Sequence, residues 1–269
     1  MKQDGTASKS QSLPCTLALA TQSPYHCRMR WTPALLLLSV VVHAAEPKAS
    51  RTTPPETPIK EGLETRIACD HNGGFSKYAD VYHYKVWLPK GYNADPKKTW
   101  PVLFIASPGG NANMGNMSDW IKRHGYIAIM LEESKNGPWD PSVGNFLAAH
   151  QDAAKRFRIA DGKKVCTGFS GGARASSIFV SIGDNFGGVI LQGAGVGTLD
   201  NGLRGLNGIR IPAVALTIGK KDPNRGEIAG LRESQGERLQ VFEFEGGHQW
   251  APKDVIEKAL DYVDGHLPK

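Results

Sequence analysis

Val165-Cys166-Thr167-Gly168-Phe169-Ser170-Gly171-Gly172-Ala173 decides how this chain is read. A short apolar run enters a G-x-S-x-G pentapeptide, and an alanine- and serine-rich stretch from Ala173 to Ser181 continues from it. Strand, tight turn, then helix is the order that can hold a serine hydroxyl out on a strained corner. The glycines on either side let two backbones approach where a larger side chain would clash. A serine so placed also meets the N-terminus of a helix, where free N–H groups favour developing negative charge. In a chain with 31 glycines among 269 residues the pentapeptide alone is a weak signal, and a plain helix N-cap is the simpler reading of Ser170. Its weight depends on what lies around it.

Working outward, short apolar runs alternate with amphipathic stretches. The strand candidates are 81–88, 100–106, 127–132, 164–169, 188–192, 213–218 and 239–244. Helix candidates are 116–124, 141–157, 171–182, 225–233 and 253–267. In the last of these, Val255, Ile256, Ala259, Leu260, Val263 and Leu267 share one face at helical spacing, and Pro252 suits its start. Such alternation predicts an α/β fold with a mostly parallel sheet covered on both faces. The first two strands, with His83 and Lys85 between apolar neighbours, are expected as an antiparallel edge hairpin. Only Gly193 to Pro212 separates the strands 188–192 and 213–218, too little chain for a large lid.

The N-terminal region differs in kind. Arg28-Met29-Arg30, the apolar run 34–42 and the small residues Ala44-Ala45 form the pattern of a secretory signal peptide, with cleavage expected near Ala44. The run is too short for a membrane span, which needs about 20 residues. An uncleaved N-terminal anchor is the alternative. Met29 is the more natural start for such a signal, which makes residues 1–28 an extension. The expected organisation is therefore 1–44 extension plus signal, 45–62 an exposed lead-in containing Pro54-Pro55 and Pro58, and 63–269 one domain. Export implies a secreted or periplasmic protein with no stable membrane insertion after cleavage.

The whole chain carries 32 basic and 26 acidic residues, a formal +6. Residues 1–44 hold four of the basic and one of the acidic residues, so the remainder has 28 against 25, or +3. That is mildly basic without a Lys/Arg block, which argues against nucleic acid as a partner. Cys69 and Cys166 remain after maturation. Export would permit a bridge, but Cys166 lies in an apolar strand pattern, where cysteine commonly acts as a small buried hydrophobe. With no C-x-x-C and no Cys/His cluster, no structural zinc is expected, and nothing calls for a metal or cofactor. Gly193-Ala194-Gly195-Val196-Gly197 has the wrong spacing for a dinucleotide fingerprint, so close packing beside the serine turn is the better explanation.

A serine hydroxyl is a poor nucleophile at neutral pH. It needs a base, and the base needs a carboxylate to fix its tautomer. Asp222 follows the strand 213–218 through Gly219-Lys220-Lys221, and His248 follows the strand 239–244 through Glu245-Gly246-Gly247. Carboxyl ends of parallel strands share one rim, so Ser170, Asp222 and His248 are expected to converge. Asp222 could instead open a turn with Pro223-Asn224, while Asp184 and Asp200 do not follow the penultimate strand. His124, His150 and His266 fall at helix positions, His83 in an edge strand and His71 in an upstream loop.

With these residues the chain resembles the α/β-hydrolase superfamily. The elbow Gly168 to Gly172, the order Ser, Asp, His, and spacings of 52 and 26 residues all fit it. It looks most similar to small exported esterases of the polyhydroxybutyrate depolymerase and feruloyl esterase type. The residues that carry this are Val86-Trp87-Leu88-Pro89-Lys90-Gly91-Tyr92 and Gly246-Gly247-His248-Gln249-Trp250. The resemblance implies a three-layer α/β-hydrolase fold and carboxylic ester hydrolysis through an acyl-enzyme on Ser170, with small-molecule or polymeric esters as substrates. An exported peptidase or thioesterase on the same fold, or a binding protein without turnover, are the alternatives. One oxyanion donor is expected at the Gly171 N–H, and the other at Gly109 or Gly110. The resembling proteins usually have histidine–glycine where this chain has Ser107-Pro108. Trp250, Trp139 and Asn111 are candidate substrate-binding residues, and Glu132 and Glu133 end a strand on the same rim.

Overall fold

Three strand segments are buried along their whole length: Ile127–Leu131, Phe186–Gln192 and Ala213–Gly219. A strand buried on both faces must have helices above and below it. The computed structural model of the protein describes residues 59–269 and supplies those helices. In chain order the elements are β1 (Glu64–Ala68), β2 (His83–Trp87), β3 (Trp100–Ala106), α1 (Ser118–His124), β4 (Ile127–Leu131), α2 (Trp139–Arg156) and β5 (Ile159–Phe169). They continue with α3 (Gly171–Ile182), β6 (Phe186–Gln192), β7 (Ala213–Gly219), α4 (Ile228–Gln235), β8 (Leu239–Phe244) and α5 (Lys253–His266). The sheet order is β1-β2-β4-β3-β5-β6-β7-β8.

From β4 through β8 every pairing is parallel, while β1–β2 and β2–β4 are antiparallel. The chain leaves β3 toward β4 and then crosses back to β5 on the other side of β3. That reversal opens a crevice at the carboxyl ends of β3 and β5, where ligands bind in open α/β sheets. The expected edge hairpin is corrected here. Trp100–Ala106 is an interior strand between β4 and β5, because Val102 to Ala106 are all buried and need cover on both faces. The true hairpin partner of β2 is β1, whose single buried residue, Ile67, makes no apolar run.

Two apolar layers flank the sheet. Phe146 of α2 and Phe179 of α3 stack with ring centroids 4.3 Å apart over Phe104 on one face. On the other, Trp120 and Ile121 of α1 and Ile256 and Leu260 of α5 pack against Leu103, Ile105 and Met130. Trp120 also donates its indole N–H to Asp261 at 2.6 Å, pinning α1 to α5. Cys69 and Cys166 are both buried and unbridged, and burial pushes both thiols well above their ordinary range. Both behave as small core side chains.

The signal-peptide segment, its cleavage point and most of the lead-in lie outside the described residues. Of the lead-in, Glu61 forms a bridge to Leu88, and its carboxylate accepts the Gly91 N–H at 2.8 Å and the Asn93 N–H. Among the described residues no helix is long and apolar enough to cross a membrane. The stretch between β6 and β7 contains only turns and one bridge, with no lid-forming element.

Candidate active site

β5 ends at Phe169, and Ser170 turns the chain into α3 with φ 53° and ψ −115°. A non-glycine residue held there costs about 1–3 kcal/mol unless the surroundings fix it. Here they do. The Ser170 N–H donates to Gln192 O at 2.8 Å, and its carbonyl accepts the Arg174 N–H at 3.1 Å. A Cβ on Gly168 would stand 2.5 Å from the Gly172 backbone and 2.7 Å from Ala106 O. One on Gly172 would stand 2.6 Å from the same Ala106 O. The two glycines are thus what lets the end of β3, the end of β5 and the first turn of α3 touch.

The loops after β7 and β8 are laced together. Lys220 N–H donates to Phe244 O and Lys221 N–H to Gly246 O, each at 2.9 Å. Gly219 permits this, since its Cβ would lie 2.6 Å from Gly246 O. The lacing sets Asp222 beside His248. The Asp222 side chain is fully buried, and its Oδ1 accepts the Asn224 N–H at 2.9 Å. Its Oδ2 lies 2.9 Å from His248 Nδ1, and His248 Nε2 lies 2.8 Å from Ser170 Oγ. With Nδ1–H committed to the carboxylate, Nε2 presents a lone pair to the serine hydroxyl. The Phe169 ring, 4.7 Å from the imidazole by centroid, backs it on one side. The three residues expected to converge do so.

The loop after β3 closes as a turn. The Gly110 N–H donates to Ser107 O at 3.1 Å, and Gly110 adopts φ 74°. The Asn111 N–H is held by Glu132 O at 2.8 Å. Pro108 has no N–H to offer. Among the described residues the Gly109 N–H has only a long contact, 3.4 Å, to Ser107 Oγ.

Ser107 separates two slots. One, about 110 Å³, is lined by Asn136, Trp139, Gly171 and Arg174. The other, about 210 Å³, is lined by Trp250, Met114, Met117 and Gln192. Each of the two tryptophans thus stands in one slot, whereas Asn111 lines neither. Asn136 was not singled out from the sequence. A Cβ on Gly171 would overlap its Oδ1, so its amide lies directly over the helix start. Arg174 is held by Glu227 through two contacts, at 2.6 and 3.2 Å. The glycine run after β6 is a packing device: Gly193 fits against Phe169, Gly195 against Glu227 and Gly197 against Trp139.

His83, Glu132 and Glu133 bring possible metal-ligand atoms within 4.8 Å of one another. Their donors are already engaged, Glu132 by Arg66 at 2.7 Å and Glu133 by His83 at 2.8 Å. Glu132 therefore serves an ion pair with Arg66, and Glu133 a side-chain contact with His83, both on the β1–β2 side of the rim.

No family model matches this chain, and no curated protein matches its sequence. Solved structures do. It is similar to FphF, a fluorophosphonate-binding serine hydrolase of Staphylococcus aureus, at 14% identity and TM-score 0.57 over 76% of this chain and 99% of that one. A ferulic acid esterase matches at 16% identity and TM-score 0.55, over 75% and 96% of the two chains. An S-formylglutathione hydrolase from Agrobacterium tumefaciens matches at 12% and 0.54, over 79% and 98%. Strand order, crevice and neighbours agree: the chain has the α/β-hydrolase fold.

Proposed function

We propose that the protein is a serine hydrolase that cleaves carboxylic esters through an acyl-enzyme on Ser170. The observation that carries this reading is the continuous chain from Ser170 Oγ through both nitrogens of His248 to the buried Asp222, at 2.8 and 2.9 Å. Ser170 Oγ attacks the ester carbonyl carbon while His248 Nε2 takes its proton, and Asp222 stabilises the imidazolium that forms. The C–O bond to the alcohol then breaks, and His248 returns the proton to the leaving oxygen. Water, activated by the same nitrogen, attacks the acyl carbon and releases the acid and free Ser170.

The oxyanion formed in both steps is assigned to the N–H groups of Gly171 and Gly109. Gly171 opens α3, so its N–H has no carbonyl one turn earlier to bond. Between the two loop candidates, donor accounting favours Gly109. Pro108 lacks the group and Gly110 spends its own on Ser107 O, whereas the Gly109 N–H is essentially unengaged. Each such donor contributes about 10²–10³-fold to turnover. Trp250 and Trp139 then line the two sides on which acyl and alcohol groups lie.

The named activities of FphF, the ferulic acid esterase and the S-formylglutathione hydrolase support acyl transfer to water as the chemistry. Export fits the basic start and apolar run before Ala44, and a secreted product beginning near Ala45 is expected on N-terminal sequencing. A panel of p-nitrophenyl esters, matched thioesters and aminoacyl amides tests the reaction class. Esters are expected to turn over fastest. Faster turnover of the amides would replace this reading with that of a peptidase.

A further inference from the structure

In its first half α2 buries two short polar side chains one turn apart, Ser142 and Asn145, at 3% and 0% exposure. Such residues are unfavourable inside a helix unless their side chains find partners. Both spend their bonds on the segment 133–136 that leaves β4. Asn145 Oδ1 accepts the N–H of Glu133 at 3.1 Å and of Ser134 at 3.0 Å, while its Nδ2 donates to His83 O at 2.9 Å. Ser142 Oγ holds Lys135 twice, accepting its N–H at 3.2 Å and donating to its carbonyl at 3.1 Å. Three consecutive N–H groups are thus consumed by α2, and the next one, on Asn136, is left for the loop after β3.

That N–H donates to Pro108 O at 2.8 Å. The far side of the same loop is held by Asn111 N–H on Glu132 O at 2.8 Å and Ala112 N–H on Leu131 O at 3.0 Å. Between these anchors Gly109 faces Lys135 as an antiparallel bridge pair. Because the bond beside it runs from Asn136 to Pro108, the pair is of the non-hydrogen-bonded kind, in which each N–H points away from the partner segment. The 133–136 segment extends β4 on one side of β3, and β5, which leads into Ser170, lies on the other. The clamp therefore turns the Gly109 N–H from the β4 side toward the side of Ser170. Pro108 has no N–H with which to anchor the loop, so its carbonyl takes that part.

We infer that Ser142 and Asn145 are positioning residues for the oxyanion hole. They touch no substrate. They fix 133–136, and through Asn136 and Pro108 that segment holds the Gly109 N–H in the direction of the reacting carbonyl. The inference rests on ester hydrolysis at Ser170 with Gly109 as a donor. A donor oriented before the reaction costs no reorganisation as charge develops, so loosening it is felt in the transition state and spares substrate binding.

Ser142→Ala, the milder change, and Asn145→Ala test it on a p-nitrophenyl ester. The kcat is expected to fall by about tenfold in the first and about 10²-fold in the second, with KM within about twofold of wild type. A trifluoromethyl ketone bonds to Ser170 Oγ and places its oxygen where the oxyanion forms, so its inhibition constant should rise by the factor that kcat loses. The pH at half-maximal kcat/KM should stay in place, because His248 and Asp222 are untouched. Tyr84→Phe removes a 2.6 Å bond to Asp152 of the same helix and controls for lost stability alone; it should keep kcat and ketone affinity within about twofold. Unchanged ketone affinity in Ser142→Ala and Asn145→Ala overturns the inference, as does an equal loss of kcat in Tyr84→Phe. If Asn145→Ala fails to fold, Ser142→Ala decides alone. Absence of ester turnover in wild type would instead break the Ser170 reading beneath it.

Discussion

Two histidine–aspartate pairs sit at opposite ends of the same sheet, and they have opposite constructions. At the carboxyl rim the Asp222 side chain is fully buried and His248 is 33% exposed, with the Ser170 hydroxyl on the far nitrogen. At the other end, His150 Nε2 lies 3.1 Å from Asp184, but there the histidine is 10% exposed and the aspartate 70%. The third member is an ammonium, Lys164 Nζ, 3.2 Å from His150 and 2.9 Å from Asp184. His150 lies among Phe104, Phe146 and Phe186 at 5.4–5.7 Å between ring centroids. Burial, and then the nearby Lys164 charge, bring its pKa down to about 4. A histidine near a carboxylate is therefore no signature of catalysis. The buried carboxylate, the accessible ring and the hydroxyl on the second nitrogen make the rim pair suited to moving a proton. The basal pair is built to tie α2 and β5 to the turn after α3.

The sharpest way to break this contrast is to remove one member of each group. Ser170→Ala is expected to lower kcat by about 10⁶-fold with folding intact, and His248→Ala by a similar factor, as measured on a p-nitrophenyl ester. Asp222→Asn keeps the shape but allows the wrong tautomer, and a loss of about 10⁴-fold is expected. A small loss there would mean that the burial of Asp222 is structural after all.

At the base the effects should appear in stability and leave turnover alone. Folded His150 stays neutral down to about pH 4, whereas the unfolded chain takes up its proton near pH 6.5. The unfolded state thus binds more protons in that window, and stability falls as the pH drops from 6.5 to 4. The full span is about 3 kcal/mol. Urea midpoints across that range should show this acid limb in wild type and a flatter one in His150→Gln. The smallest effect is expected from Asp184→Asn, because its pair with Lys164 is exposed on the carboxylate side. Its kcat/KM should stay within about twofold of wild type.

The alternation of buried runs and amphipathic helices made the sheet legible from the sequence, and β4, β6 and β7 are continuous apolar segments. The misreadings came from the margins. β1 buries one residue of five, so it carries no hydrophobic period. Trp100–Ala106 follows an alternating strand and so reads as an edge, but it pairs on both sides and is interior. At the site, Ser170, Asp222 and His248 were readable because each follows a strand at its carboxyl end. The proposed second oxyanion donor was not, since choosing between Gly109 and Gly110 requires knowing which N–H the turn consumes. Asn136 was invisible for a related reason: its place over the start of α3 arises from a contact across elements.

The central claim is that Ser170 is an activated nucleophile. A fluorophosphonate should react with it at neutral pH, forming a bond from Ser170 Oγ to phosphorus and releasing fluoride. Mass spectrometry of the digested protein should place a single stoichiometric adduct on the peptide containing Ser170, and His248→Ala should abolish it. An unlabelled protein, or labelling undiminished in His248→Ala, would contradict the account.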